Sequence, residues 1–296
     1  MANVALNADQ VRQFEQDGYL VVENAVSPKQ LSALQRQTEQ WVDESRAHRE
    51  PFGVPTLDGR PRFDMGKEHC AATPALRRIN NPSDISDAYM NVMREARTVD
   101  MVSDLIGPNV KFHHCKVNLK LPGSQTEVGY HQDYAYTPHT NDDIVTALLM
   151  LDDMTPENGC LKVVPGSHRG PIYSLFRDEQ FVGVMDQQVV QAMKASALPI
   201  YGEAGSVCLM HTRVVHGSDP NHSSAPRGLY ICVYTAADAF PIARNPMPNP
   251  NEGQVIRGEK TRVARMAAVE VELPEQPKSA SFFTVIGQAS KTGDSD

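Results

Sequence analysis

The sequence predicts a mainly β protein flanked by helices, an antiparallel sandwich or jelly roll, and three observations carry that reading. From Val110 onward, short runs rich in β-branched and aromatic residues alternate with turn clusters. Before Val110 the texture is helical, with recognisable caps. The 296-residue length suits one domain built from a barrel and added helices.

Taken in order, Asn7 with Gln10 three residues on forms a capping box, and Val11 and Phe14 follow at helical spacing. That helix stops at Gly18, and Tyr19-Leu20-Val21-Val22 reads as a strand. Ser27-Pro28 starts a second helix, running to about Ser45 with Leu31, Leu34 and Trp41 inward. Residues 49–82 are irregular, and so long a stretch inside a compact domain points to a functional loop roofing a site. Ser83 or Asp84 caps one further helix to about Ile106, closed by Gly107-Pro108-Asn109. Strands are expected at Val110–Leu121, Ile144–Leu151, Leu161–Val164, Ser206–Met210 and Gly228–Thr235, with a helical insertion around Asp186–Ala197. The expected organisation is a single domain over 1–296: N-terminal helices over 7–107, a β core over about 110–240 and an extension over 241–296. The polar tail from Gln288 reads as disordered.

Composition excludes several function classes. With 41% hydrophobic and 22% charged residues, this is an ordinary globular chain. The net charge of -8, from 28 Lys+Arg against 36 Asp+Glu, argues against nucleic acid as partner. No apolar run is long enough to span a membrane, and Met1–Ala5 does not resemble a signal peptide. The scattered thiols Cys70, Cys115, Cys160, Cys208 and Cys232 fit a reduced, cytoplasmic protein, with Cys208 and Cys232 as small buried hydrophobes. Association into a homo-oligomer is left open.

The chemistry centres on His131-x-Asp133. On an extended strand, residues two apart face the same side, so imidazole and carboxylate can bind one metal ion together. His216 is the candidate third ligand. Two His and one carboxylate leave open positions and suit non-haem Fe(II). Between His216 and Arg227 the chain is all turn residues, so Arg227 is expected to start the neighbouring antiparallel strand, near the metal without touching it. A buried Arg there calls for an anion, with a carboxylate the natural partner, and Ser218 can add a hydrogen bond. Lys116, Asn118 and Lys120 share one strand face. His113 and His114 are adjacent and so expected on opposite faces, with His114 on the face of Asn118. His168 reads as a loop hydrogen-bonder and His211 as a packed core histidine.

Together, His131-x-Asp133, the run His216-x-Ser218-x-x-Asn221-x-Ser223-x-x-x-Arg227, the segment Glu157–His168 and the opening Phe14–Val22 resemble the phytanoyl-CoA dioxygenase family. The resemblance covers about residues 8–240. It implies a double-stranded β-helix (a cupin-like jelly roll), Fe(II), 2-oxoglutarate as cosubstrate and O₂. It further implies that His131, Asp133 and His216 hold the iron and that Arg227 with Ser218 holds the distal carboxylate of 2-oxoglutarate. By similarity to ectoine hydroxylases, Asn118 contacts the end nearest the iron. Related halogenases replace the carboxylate with a small residue, so Asp133 favours hydroxylation. The implied function is an Fe(II)/2-oxoglutarate-dependent dioxygenase acting on a small or medium organic molecule with an anionic or polar group. The alternative is a cupin-like metal or small-molecule binder without turnover, against which the Arg227–Ser218 pair argues. Tyr134, Tyr136, His114, Arg213, Phe240 and Met65, with Phe52 and Phe63, are the expected substrate lining.

Overall fold

The computed structural model describes residues 5–275; the expectation for the tail beyond Gln288 lies outside them. The helices are α1 (Ala8–Asp17), α2 (Pro28–Ser45), α3 (Asp87–Glu95), α4 (Arg97–Ile106) and α5 (Gln187–Lys194). The strands are β1 (Tyr19–Val22), β2 (Phe63–Met65), β3 (Leu76–Asn80), β4 (Val110–Lys120), β5 (Val128–His131), β6 (Ile144–Met150), β7 (Leu161–Val163), β8 (Phe176–Arg177), β9 (Gln180–Phe181), β10 (Leu198–Ile200), β11 (Val207–His211), β12 (His216–Ser218), β13 (Arg227–Ala236) and β14 (Val255–Arg257).

All pairings are antiparallel. The large sheet runs β1-β11-β6-β13-β4-β3-β2, with β14 also on β4, and the small sheet runs β10-β7-β12-β5. This two-sheet, helix-flanked architecture is the jelly roll. Among the described residues, no helix is long and apolar enough to cross a membrane.

The N-terminal elements form as their caps dictate. Asn7 and Gln10 close the capping box of α1, and Gly18 ends it at φ 79. Ser27 and Gln30 do the same for α2, with Pro28 in the first turn. Gly18 is required on two counts: its φ is left-handed, and a Cβ there would lie 2.4 Å from His168 Nδ1. The helix expected from residue 83 to Ile106 is instead two. Ala96 is extended (φ -69, ψ 151) and separates α3 from α4. Neither Gly nor Pro marks the break. Its cause is tertiary: α3 buries Tyr89, Val92 and Met93 and α4 buries Val99, Met101 and Val102, each helix turning its own apolar stripe to the core. Tyr230 and Tyr234 of β13 fasten α3 by donating to the carbonyls of Tyr89 (3.0 Å) and Met93 (2.9 Å).

The long strands appear within one residue of their expected bounds. The stretch 49–82 is less irregular than its composition: β2 and β3 lie in it and extend the large sheet past β4. Phe52 stacks between His48 and Phe63, and Phe63 reaches Trp41. These side chains belong to the core rather than to a roof.

Two other expectations are corrected. Arg227 does start a strand, but β13 pairs with β4 and β6 of the large sheet, whereas the His216 strand lies in the small sheet. The turn carries the chain from one sheet to the other, as a jelly roll wraps. His113 and His114 do not point apart: their Nδ1 atoms are 2.7 Å from each other. The β13–β4 register shifts between Val233 and Tyr234, opposite His114 and Phe112, and this bulge breaks the alternation at His113.

Candidate metal and anion site

β5 ends at His131, Gln132 is extended, and Asp133 opens a short 3₁₀ turn over Asp133–Ala135. The motif is thus half strand and half turn, yet the extended Gln132 keeps both ligands on one side. β12 pairs with β5 so that His216 lies directly opposite His131. His131 Nε2 is 3.5 Å and His216 Nε2 3.8 Å from Asp133 Oδ1. One donor atom from each of the three lies within 4.8 Å of the others, the one such group of three or more among the described residues.

The surroundings fit a metal. His131 Nδ1 faces the Gly129 carbonyl at 2.8 Å and His216 Nδ1 the Val214 carbonyl at 3.0 Å, so both rings present Nε2 inward. Thr146 of β6 donates to Asp133 Oδ2 at 2.8 Å, which orients the carboxylate. Burial pulls the His216 imidazole down to about 4, with His131 adding to it, so the ring is neutral and ready to ligate at pH 7. Burial pushes the Asp133 carboxyl up, but His216, the hydrogen bond with His131 and Lys116 outweigh it and hold the group well below the usual carboxylate range. Two imidazoles and one carboxylate form the donor set suited to Fe(II) with open positions.

A cavity between the sheets runs from this triad to Arg227, lined also by Arg78, Lys116, Asn118, Lys120 and Ser218. Arg227 is buried and donates through Nε to the Gly159 carbonyl at 3.2 Å. Gly159 is itself constrained: φ is 76, and a Cβ would meet the Asp219 carbonyl at 2.6 Å. Asp219 pairs with Lys162 and Asp238 with Arg265, while Asp152, which accepts from the Gly228 N–H at 2.8 Å, is the carboxylate whose charge reaches Arg227. Lys120 lies opposite Arg227 in register and donates to Ser218 Oγ at 2.7 Å. Burial, with Arg227 adding to it, pulls Lys120 down to about 6. Asn221 braces the turn between the sheets by donating to the carbonyls of Lys120 (2.8 Å) and Ala225 (2.7 Å). Asn118 Oδ1 accepts from Arg78 Nε at 3.0 Å.

None of the expected substrate residues lines this cavity, though two adjoin it. Tyr136 stands edge-on to His131, ring centroids 5.6 Å apart, and His114 is close enough to Asp133 to feel its charge. Tyr134 is core, its hydroxyl donating to the His139 carbonyl and its ring packed with Ile144 and Val233. Arg213 pairs with Asp142 at 2.8 Å and donates to the Gly170 carbonyl. Phe240 lies beneath Lys111, and Met65 belongs to the main core. His168 meets the Glu15 carbonyl and His211 packs against Phe14. Sequence reasoning missed Thr146, whose signal is a lone hydroxyl in an otherwise apolar strand, and it gave no role to Lys120.

The family model described as phytanoyl-CoA dioxygenase (PhyH) matches residues 14–229. The chain is 30% identical over 273 residues to the "Probable alpha-ketoglutarate-dependent hypophosphite dioxygenase" of Stutzerimonas stutzeri, covering 90% of this chain and 92% of that protein. It is 28% identical over 254 residues to the ectoine dioxygenase of Bordetella parapertussis, covering 79% and 77%. The crystal structure of EctD from S. alaskensis with bound Fe superposes with a TM-score of 0.65 at 22% identity, covering 92% of this chain and 90% of that one, which bears on the fold. The chain belongs to the phytanoyl-CoA dioxygenase (PhyH) family and is an Fe(II)/2-oxoglutarate-dependent oxygenase.

Proposed function

We propose that this oxygenase hydroxylates a small or medium organic molecule, coupled to decarboxylation of 2-oxoglutarate to succinate and CO₂. The observation that carries the reading is one cavity with two ends. Two imidazoles and a carboxylate converge at one, and buried Arg227 with Lys120 and Ser218 occupies the other. In this reading His131, Asp133 and His216 hold the iron. Arg227 and Ser218 take the distal carboxylate of 2-oxoglutarate, and Asn118, fixed by Arg78, faces its other end. Iron and 2-oxoglutarate, when bound, supply the oxidising chemistry for activating O₂. The chain's own part is orientation. The backbone carbonyls of Gly129 and Val214 aim the imidazoles, Thr146 aims the carboxylate, and the apolar walls of Leu148, Leu161, Leu229 and Ile231 exclude water.

The same reading takes 1–296 as one oxygenase domain and places it in a reducing, cytoplasmic compartment, supported by four buried free thiols. The test is succinate formation that requires both Fe(II) and 2-oxoglutarate. Two-oxoglutarate binding to the anaerobic, Fe(II)-loaded protein is measured alongside by calorimetry. Absence of both sinks the reading.

A further inference from the structure

We propose that residues 260–272 of the C-terminal extension are the contact surface for a second copy of this chain, two such straps lying antiparallel about a two-fold axis at Met266. This surface lies past residue 229, where the family match ends, and owes nothing to the oxygenase reading above.

The strap is held in place by the body beneath it. From 259 to 275 the chain runs without a bend or a strand partner, tightened once where the Val269 N–H donates to the Ala267 carbonyl. The N–H groups of Arg265 and Ala267 donate to the carbonyls of Asp238 (3.1 Å) and Thr140 (2.7 Å), and Asn141 Nδ2 donates to the Arg265 carbonyl at 3.0 Å. The Arg265 guanidinium pairs with Asp143 and Asp238. Val271 turns inward against Tyr134, Ile144 and Val233. Fixed in this way, the strap loses little freedom on meeting a partner.

Its outer side is apolar. Val263, Met266, Val269 and Leu273 are 73%, 72%, 39% and 57% exposed. They are four of the nine exposed large apolar side chains among the described residues, and they fall within 263–273. Scattered singly, such side chains need no explanation, whereas a row of them marks an interaction surface.

The order of the residues identifies the partner. Counted outward from Met266, Val263 and Val269 lie three residues away, Arg262 and Glu270 four, and Lys260 and Glu272 six. Each valine thus has a valine, and each of these cations a carboxylate, at the same distance on the other side. A two-fold axis through Met266 sets one strap against the reverse of another. Val263 then meets Val269 of the second copy, and Lys260 and Arg262 meet its Glu272 and Glu270. Among the described residues, none of these four charged groups forms an ion pair within its own chain. Parallel straps would instead set cation on cation. An unrelated protein has no reason to carry this reversed order, and a copy carries it automatically. The contact is long, roughly 37 Å at about 3.1 Å per residue, but narrow. It buries less than the roughly 800 Å² per partner of a standard interface, so association in the micromolar range is expected.

Sedimentation equilibrium of the full chain from about 1 to 200 μM should show monomer and dimer in exchange. Met266→Glu places two like charges on the axis and should weaken the dimer about tenfold or more. Lys260→Glu and Glu272→Lys should each weaken it about fivefold, since symmetry makes every such change twice. An equimolar mixture of those two variants should recover the dimer, because the mixed pair has opposite charges at both ends. Unchanged melting temperatures show that the variants fold. The thiol of Met266→Cys should react with a maleimide in the dilute monomer and be protected at high concentration, with exposed Cys70 as the internal control. A chain that stays monomeric to about 200 μM overturns the proposal. So does a dimer that neither Met266→Glu nor the charge exchanges disturb, for another surface would then join the copies. Protection of the Met266→Cys thiol in the dilute monomer also overturns it, by giving the stripe to residues 276–296 of the same chain.

Discussion

The large sheet has long strands at its centre, β4, β6 and β13 of 11, 7 and 10 residues, and β6 and β13 bury every residue they contain. The small sheet is built from strands of three or four residues. Their contributions to the cavity differ as sharply. The small sheet and the turn after β5 supply the metal-facing imidazoles and the carboxylate, while β3, β4 and β13 supply the cations. A long ladder, fixed by burial along its length, can hold desolvated charge at a chosen depth. A short ladder is fixed by its turns, and such turns bring ligands distant in sequence to one point.

That division can be broken experimentally, starting with the largest effect. His216→Ala, in the small sheet, should drop Fe(II)- and 2-oxoglutarate-dependent succinate formation to background, since two ligands lose both affinity and geometry. Near-normal turnover would mean the metal sits elsewhere. Arg227→Ala, in the large sheet, should weaken 2-oxoglutarate about 30-fold or more, from a truncation cost of about 2–5 kcal/mol. Metal affinity without cosubstrate should change less than about threefold. Equal losses of both would erase the distinction between the sheets.

Leu149→Ala removes a buried side chain from the large sheet, away from the cavity. It should cost about 3 kcal/mol and lower the melting temperature by roughly 5–10 °C. Titration well below the melt should find 2-oxoglutarate affinity unchanged. Thr146→Val crosses the division, because a large-sheet hydroxyl orients a small-sheet ligand. Metal affinity should fall about 10–100-fold with little change in melting temperature. A melting change without a metal effect would confine Thr146 to packing.

The smallest expected effect is a pH slope. Lys120 is pulled down to about 6 by burial and by Arg227, with Asp219, Glu127 and Cys160 opposing. A bound carboxylate raises it, so between the free and bound values binding takes up a proton. Two-oxoglutarate affinity should therefore fall as pH rises above about 6, by at most about tenfold per unit. Calorimetry in buffers of different ionisation heat checks the proton, and a flat profile excludes Lys120 from the anion end.

The legibility of the sequence follows the same division. β4, β6, β11 and β13 were readable because a ladder buried along its length leaves an apolar imprint. β5 and β12 were given no strand bounds, being short, but their His-x-Asp and His-x-Ser spacings were readable as chemistry, the first already on an extended segment. The cations were half readable: the face shared by Lys116, Asn118 and Lys120 is a period-two pattern, whereas Arg78 enters only through the β3–β4 register. The break at Ala96 and the bulge at His113 left no local mark, because each is imposed by what packs against it. Of the aromatic residues expected to line the cavity, Phe63 and Tyr134 fill the core while Tyr136 adjoins the triad, since size and apolarity alone do not tell a wall from an interior.

The pairing of β1 with β11 also bears on how the chain is made. β1 leaves the ribosome well before its partner β11, which is encoded near the end of the barrel. Until Val207–His211 emerges, Leu20 and Val22 have no ladder to join, and β11 must also find β6. Such long-range closure makes folding slow and keeps an apolar edge accessible throughout translation. Nascent chains stalled before Val207 should accordingly be captured by holdase chaperones and digested by proteases that spare the finished barrel.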